Sequence, residues 1–177
     1  MKKIKKLILL LFVSVFSCSP TGSSFSPNPD PIIDAEINIG SGQFIYSKNN
    51  IDFEVFYHVP ESYNATSKVV FIMHGGSRDA EGIRNNMIAK SNEYNFILIA
   101  PKFSSENFSL GDGYNLGNVY IDGDNPSTTT LNNEEDWSFS IIEPLFDSVV
   151  NSLSLTGEKY NLFGFSAGAQ FVHRFIL

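Results

Sequence analysis

The sequence predicts an α/β domain: a mostly parallel sheet with helices on both faces, entered through an antiparallel hairpin. Three observations predict it. Residues 68–73 (KVVFIM) and 95–100 (NFILIA) are solid apolar runs, the pattern of strands buried on both faces. Between them, residues 80–94 place Ile83, Met87, Ile88 and Tyr94 at helical spacing. Residues 160–165 (YNLFGF) form a third strand-like run, which leads into a helix-like stretch over 167–177. Strand, helix and strand in succession are what a parallel sheet requires, because parallel neighbours need a long crossover.

The chain begins with a different kind of segment. Lysines at 2, 3, 5 and 6 precede an apolar run over residues 7–16, the anatomy of a secretory signal too short to span a bilayer comfortably. The run leads to Ser17-Cys18, and Cys18 is the single cysteine of the chain. Val15-Phe16-Ser17-Cys18 resembles the lipobox of bacterial lipoproteins, in which the cysteine is lipidated, and this implies a signal peptide over 1–17 and a lipidated Cys18. Residues 18–38 are expected to be a disordered Pro/Ser tether, and 39–177 the folded domain. Sixteen flexible residues over 19–34 would reach about 20–25 Å from a membrane. The expected location is outside the cytoplasm, on a bacterial membrane as a lipoprotein, or else secreted.

Charge narrows the partners. The formal net charge is -7, and without the four N-terminal lysines 8 basic side chains (12 less 4) face 19 acidic ones, or -11. Such a surface argues against nucleic acid and against electrostatic adhesion to anionic lipid. Membrane contact is expected only through the N-terminal lipid. One cysteine allows no disulfide within the chain.

The hairpin is read from residues 42–47 (GQFIYS) and 52–60 (DFEVFYHVP), both rich in aromatic and β-branched residues and separated by Lys48-Asn49-Asn50. Residues 102–136 have no clear period, and loops of that length inside a domain are usually functional. They are expected to form a lid or recognition insertion beside the site. Tyr114, Tyr120 and Trp137 either stack on a ligand or anchor this loop. Asp122-Gly123-Asp124-Asn125 offers alternating carboxylates of the kind calcium takes, but an Asx-turn needs fewer ligands and is preferred. No metal or cofactor is expected. After Glu134 the apolar positions 141, 142, 145, 146, 149, 150 and 153 are helically spaced, with Pro144 forcing a kink or a late start.

The chemistry centres on Gly164-Phe165-Ser166-Ala167-Gly168. Gly-x-Ser-x-Gly arises by chance in roughly one chain of this length in twenty, so its setting must carry the reading. Between a strand and a helix the serine sits on a sharp turn, with Gly164 and Gly168 where the two backbones nearly touch. The helix then aims free N–H groups and its positive dipole end at the same place. A nucleophile beside an anion site is what acyl transfer needs. Upstream, residues 68–73 end in His74-Gly75-Gly76-Ser77. There an amide near Gly75 and Gly76 is expected to join the Ala167 amide as an oxyanion hole. His74 is expected to brace that loop rather than act as base.

These residues resemble the α/β-hydrolase fold, in its esterase and polyester-depolymerase-like branch. Residues 68–77 are similar to its third strand and oxyanion loop, 95–101 to its fourth strand, and 160–170 to its fifth strand and nucleophile turn. The resemblance implies an acyl-enzyme on Ser166, completed by an acid and then a histidine after the serine. Here the sequence departs from the pattern. Only eleven residues follow Ser166, none of them acidic, and the sole downstream histidine is His173. Seven helical residues place His173 roughly 10 Å along the axis, beyond the reach of a base, so a packing role is expected. We therefore expect the N-terminal part of a longer hydrolase, whose later strands, acid and histidine lie beyond residue 177. The expected substrate is a small-molecule or polymeric ester, and little activity is expected from these residues alone. Two other readings stay open. One is an inactive surface lipoprotein that binds glycans or other ligands through 102–136; the other is a peptidase or acyltransferase.

Overall fold

The computed structural model describes residues 36–177 together with the backbone of Ile32 and Ile33. The signal segment over 1–17 and Cys18 lie outside the described residues. The end of the expected tether departs from the reading: Ile32–Ile33 forms a strand, β1, and Ile37 is buried in the core. The β1 backbone and the buried Ile37 both precede residue 39, so the domain begins ahead of it.

The remaining strands are β2 (Gly40–Lys48), β3 (Ile51–Val59), β4 (Lys68–Met73), β5 (Phe96–Pro101) and β6 (Tyr160–Gly164). They join β1 in one sheet of order β1-β2-β3-β5-β4-β6. β2 and β3 pair antiparallel from Gly40↔Val59 to Lys48↔Ile51, so the turn is only Asn49-Asn50. Both residues have positive φ, 52° and 60°, the backbone that suits a two-residue turn to strand twist and that asparagine tolerates. β3 meets β5 antiparallel, whereas β4 runs parallel to both β5 and β6. The sheet is thus mixed, and its parallel part is the one that carries the serine.

Alternation along the parallel strands builds two cores. Val69, Phe71, Met73, Ile97 and Ile99 enter the larger cluster, and Ile72, Leu98 and Ala100 the smaller one on the opposite face. Helix α1 (Ala80–Tyr94) covers the smaller cluster with Ala80, Ile83 and Met87. Helices α2 (Ile142–Ser152) and α3 (Ala167–Phe175) cover the larger one, through Ile142, Leu145, Phe146, Val149 and Phe171. α1 starts at Asp79, whose carboxylate accepts from Gly82 N–H at 2.8 Å, and ends at Asn95 in left-handed conformation. Its inner face is not the expected one. Arg84 and Ser91 are buried while Tyr94 is exposed, because Ser91 Oγ bonds Phe96 O and Arg84 reaches Gly42 O and Tyr57 O in the hairpin. α2 starts late, after two short 3-10 turns (Glu134–Asp136 and Ser138–Ile141), and Pro144 falls in its first turn, where no N–H is needed.

β6 is the last strand of the described sheet, paired with β4 alone. Its Phe163 and the following Phe165 are exposed. Among the described residues no helix is long and apolar enough to cross a membrane.

Candidate active site

The site forms where β6 turns into α3. Phe165 N–H donates to Met73 O at 3.2 Å, which holds the turn against the end of β4. Ser166 follows with φ 52° and ψ −117°, a backbone that non-glycine residues rarely adopt and that costs about 1–3 kcal/mol. It persists because the backbones around it leave no other path. A Cβ on Gly164 would lie 2.2 Å from Gly168 O, and one on Gly168 would lie 2.1 Å from Met73 O. Gly168 N–H closes the turn on Phe165 O at 2.9 Å, and Ser166 O accepts from Ala169 and Gln170. Ser166 itself is exposed. As the first residue of α3, Ala167 has an N–H with no partner within the helix, at the positive end of the helix dipole.

The 74–78 loop lies against this turn. A Cβ built on Gly75 would stand 3.6 Å from Ser166 Cβ and 3.5 Å from the Phe165 ring. Those are ordinary contacts, and a Cβ on Gly76 would meet nothing. Neither glycine is needed for the fold itself; what their lack of side chains leaves is open space before the serine. Arg78 N–H closes the loop on Gly75 O at 3.1 Å, with Gly76 and Ser77 between.

His74 is fully buried behind that loop. Its Nδ1–H donates to Gly75 O at 2.9 Å, and its Nε2 accepts from Phe103 N–H at 3.0 Å, which fixes the neutral tautomer. Burial, with a smaller push from Arg78, lowers its pKa to about 4. Tyr114 O–H donates to His74 O at 2.7 Å. Arg78 lies 4.5 Å over the Tyr114 ring, and its guanidinium donates to Phe103, Phe108 and Leu110 carbonyls at 2.8–2.9 Å. The loop and the start of the 102–136 insertion are therefore one hydrogen-bonded unit.

Part of the insertion is thus core rather than lid. Phe103, Phe108 and Tyr114 are buried, and Tyr114 anchors the loop instead of offering a stacking face. The insertion also touches α3, where Asn115 Nδ2 donates to Gln170 Oε1 at 2.7 Å, one turn beyond the serine. Asp122 Oδ1 accepts from Asp124 N–H at 3.2 Å, an Asx-turn. No group of three or more metal-ligating side chains occurs among the described residues. Arg78, Asn115 and Gln170 were not visible as site residues in the sequence, because their partners are distant in the chain and mostly backbone atoms.

None of the three histidines hydrogen-bonds Ser166. His74 is engaged as described. His58 pairs with Ser41 Oγ and Asn92 Oδ1, both at 2.8 Å. His173 is exposed on α3 rather than packed, because the inward face of this short helix is taken by Phe171.

No protein-family model and no curated protein matches the sequence. Solved structures do. Poly(aspartic acid) hydrolase-1 from Sphingomonas sp. KT-1 is similar at 31% identity and a TM-score of 0.72, over 79% of this chain and 52% of that one. A poly(3-hydroxybutyrate) depolymerase from Bordetella parapertussis is similar at 26% identity and TM-score 0.68, over 78% and 47%. An acetyl xylan esterase from Aspergillus awamori shares the fold at 17% identity and TM-score 0.53, over 73% and 43%. The chain thus spans about half the length of the structures it matches. With its sheet order and its strand–serine–helix turn, this chain has the α/β-hydrolase fold.

Proposed function

We propose that the whole protein hydrolyses carboxylic esters through an acyl-enzyme on Ser166. The observation that carries this reading is the strained, exposed Ser166 at the start of α3, packed against the Gly75 segment. Ser166 Oγ attacks the carbonyl carbon, and the Ala167 amide with an amide near Gly75 and Gly76 holds the oxyanion. The described residues supply neither the base nor its carboxylate, so the proposal concerns the protein with both in place. His74 is not the base, since its Nδ1 is committed to Gly75 O and its Nε2 to Phe103 N–H.

The likenesses favour a polymer as substrate, and charge favours an uncharged one. Poly(aspartic acid) is a polyanionic polyamide, whereas residues 102–136 carry seven carboxylates and one lysine. A polyanion would be repelled there, so a neutral ester is preferred to the amide reading. We also propose that the protein is exported and held on a membrane by lipid on Cys18.

One experiment tests both parts. In cells expressing the whole gene, a fluorophosphonate is expected to label the protein at Ser166 but not the Ser166→Ala variant, and the label to partition with membranes. Cys18→Ser should move the label to the soluble fraction. A folded protein that takes no label would sink the hydrolase reading, and one that stays with membranes after Cys18→Ser would sink the anchor.

A further inference from the structure

A second concave site lies on the same rim of the sheet, away from Ser166. β3 is antiparallel to β5 with Val55 opposite Pro101, so the Asn49-Asn50 turn overhangs the edge at which β4, β5 and β6 end. Between this turn and the insertion is a cleft of about 430 Å³, within the range that holds small ligands. From β6 to β3 is three strand spacings, so the cleft stands roughly 15 Å from the serine along the rim.

The walls are fixed by side chains bonded to backbone. Asn49 Nδ2 donates to Glu135 O at 2.7 Å, Asn118 Nδ2 to Asp136 O at 2.9 Å and Asn132 Nδ2 to Asn118 O at 2.9 Å. Trp137 Nε1–H donates to Asn132 O at 3.1 Å, which sets the ring in the wall. These bonds consume amide N–H groups and main-chain oxygens. They leave the Glu135 and Asp136 carboxylates with no ion pair within 4 Å among the described residues, and the Asn107 side chain exposed. Lys48 also lines the cleft, its ammonium donating to Ser140 O.

We propose that this cleft binds an uncharged glycan. Hydroxyl groups both donate and accept, and the carboxylates and the Asn107 amide between them offer both roles. The indole gives an apolar face to the C–H side of a sugar ring. An anionic ligand finds less here, because two carboxylates and one ammonium line the cleft. Since the walls are already bonded in place, little ordering is lost on binding. The proposal rests on the ester-hydrolase reading only in making the cleft a distal subsite of that enzyme; binding itself needs no serine.

Trp137 is the only tryptophan in the chain, so its fluorescence reports the cleft directly. In Ser166→Ala protein, titration with a neutral xylo-oligosaccharide is expected to give a saturable change in emission. Glu135→Ala and Asn107→Ala should each weaken binding at least fivefold without changing the melting temperature, since neither side chain staples the wall. Oligoaspartate should give no change. An unaltered spectrum at millimolar oligosaccharide would overturn the proposal, as would binding indifferent to both substitutions or a response to a hydroxybutyrate oligomer alone. Because Ser166→Ala is the titrated protein, failure here is separate from failure of fluorophosphonate labelling.

Discussion

The turn at 164–168 and the insertion at 102–136 stand side by side and are held by opposite means. In the turn, backbone meets backbone: Gly168 lies under Met73 O and Gly164 under Gly168 O. In the insertion, side chains reach back to hold main chain, as Asn118, Asn132, Arg78 and Trp137 do. The first arrangement tolerates no added atom, whereas the second spreads its stability over many modest bonds. A substitution in the turn should therefore act all at once, and one in the insertion by a single bond's worth.

The largest expected effect tests the turn. Gly168→Ala puts a methyl 2.1 Å from a carbonyl oxygen at the end of β4, where neither partner is a movable side chain. We expect a loss of more than about 3 kcal/mol in urea unfolding, if the protein folds at all. A loss under about 1 kcal/mol would show that the turn is as forgiving as the insertion.

The next effect tests the joint between the two regions. His74 accepts from Phe103 N–H only when neutral, and its pKa is depressed to about 4 in the fold. The unfolded chain, near 6.5, takes up the proton first as pH falls. Stability from this group is therefore complete above about pH 6.5 and declines as pH drops toward 4, by about 3 kcal/mol in all. Urea unfolding between pH 4 and 7 should show this slope, and His74→Asn should flatten it. An equal slope in both proteins would assign the effect to other groups.

The smallest effect tests the staples. Asn118→Ala removes the side-chain bond to Asp136 O and the longer one accepted from Asn132 Nδ2 at 3.5 Å, and should cost about 1 kcal/mol. It should appear as faster amide exchange over residues 118–137 with exchange in β4 and β5 unchanged. Faster exchange in the central strands would mean that the insertion is part of the global folding unit.

The same contrast governs what could be read in advance. The strands at 68–73 and 96–101, the crossover helix and the serine turn were legible because each is local: apolar runs, a helical period, and glycines at fixed offsets from a serine. The hairpin was legible too, apart from a turn one residue shorter than expected. The buried face of α1 was not, because Arg84 is buried only by virtue of the Tyr57 and Gly42 carbonyls in another element. Nor was the role of Tyr114, whose partner is a carbonyl 40 residues away. Composition marked 102–136 as a loop, but its bonds run from side chains to main-chain atoms that carry no sequence identity. Position 37 shows the same limit at the other end, where a single isoleucine joins a core that its prolines argued against.

The outer side of β6 has a practical consequence. Among the described residues β6 is paired on one flank only, and Phe163 within it and Phe165 just after it are exposed, so another strand can continue the ladder there. Whatever strand pairs with that flank is set two residues from the serine, so its register and the position of Ser166 are tied together.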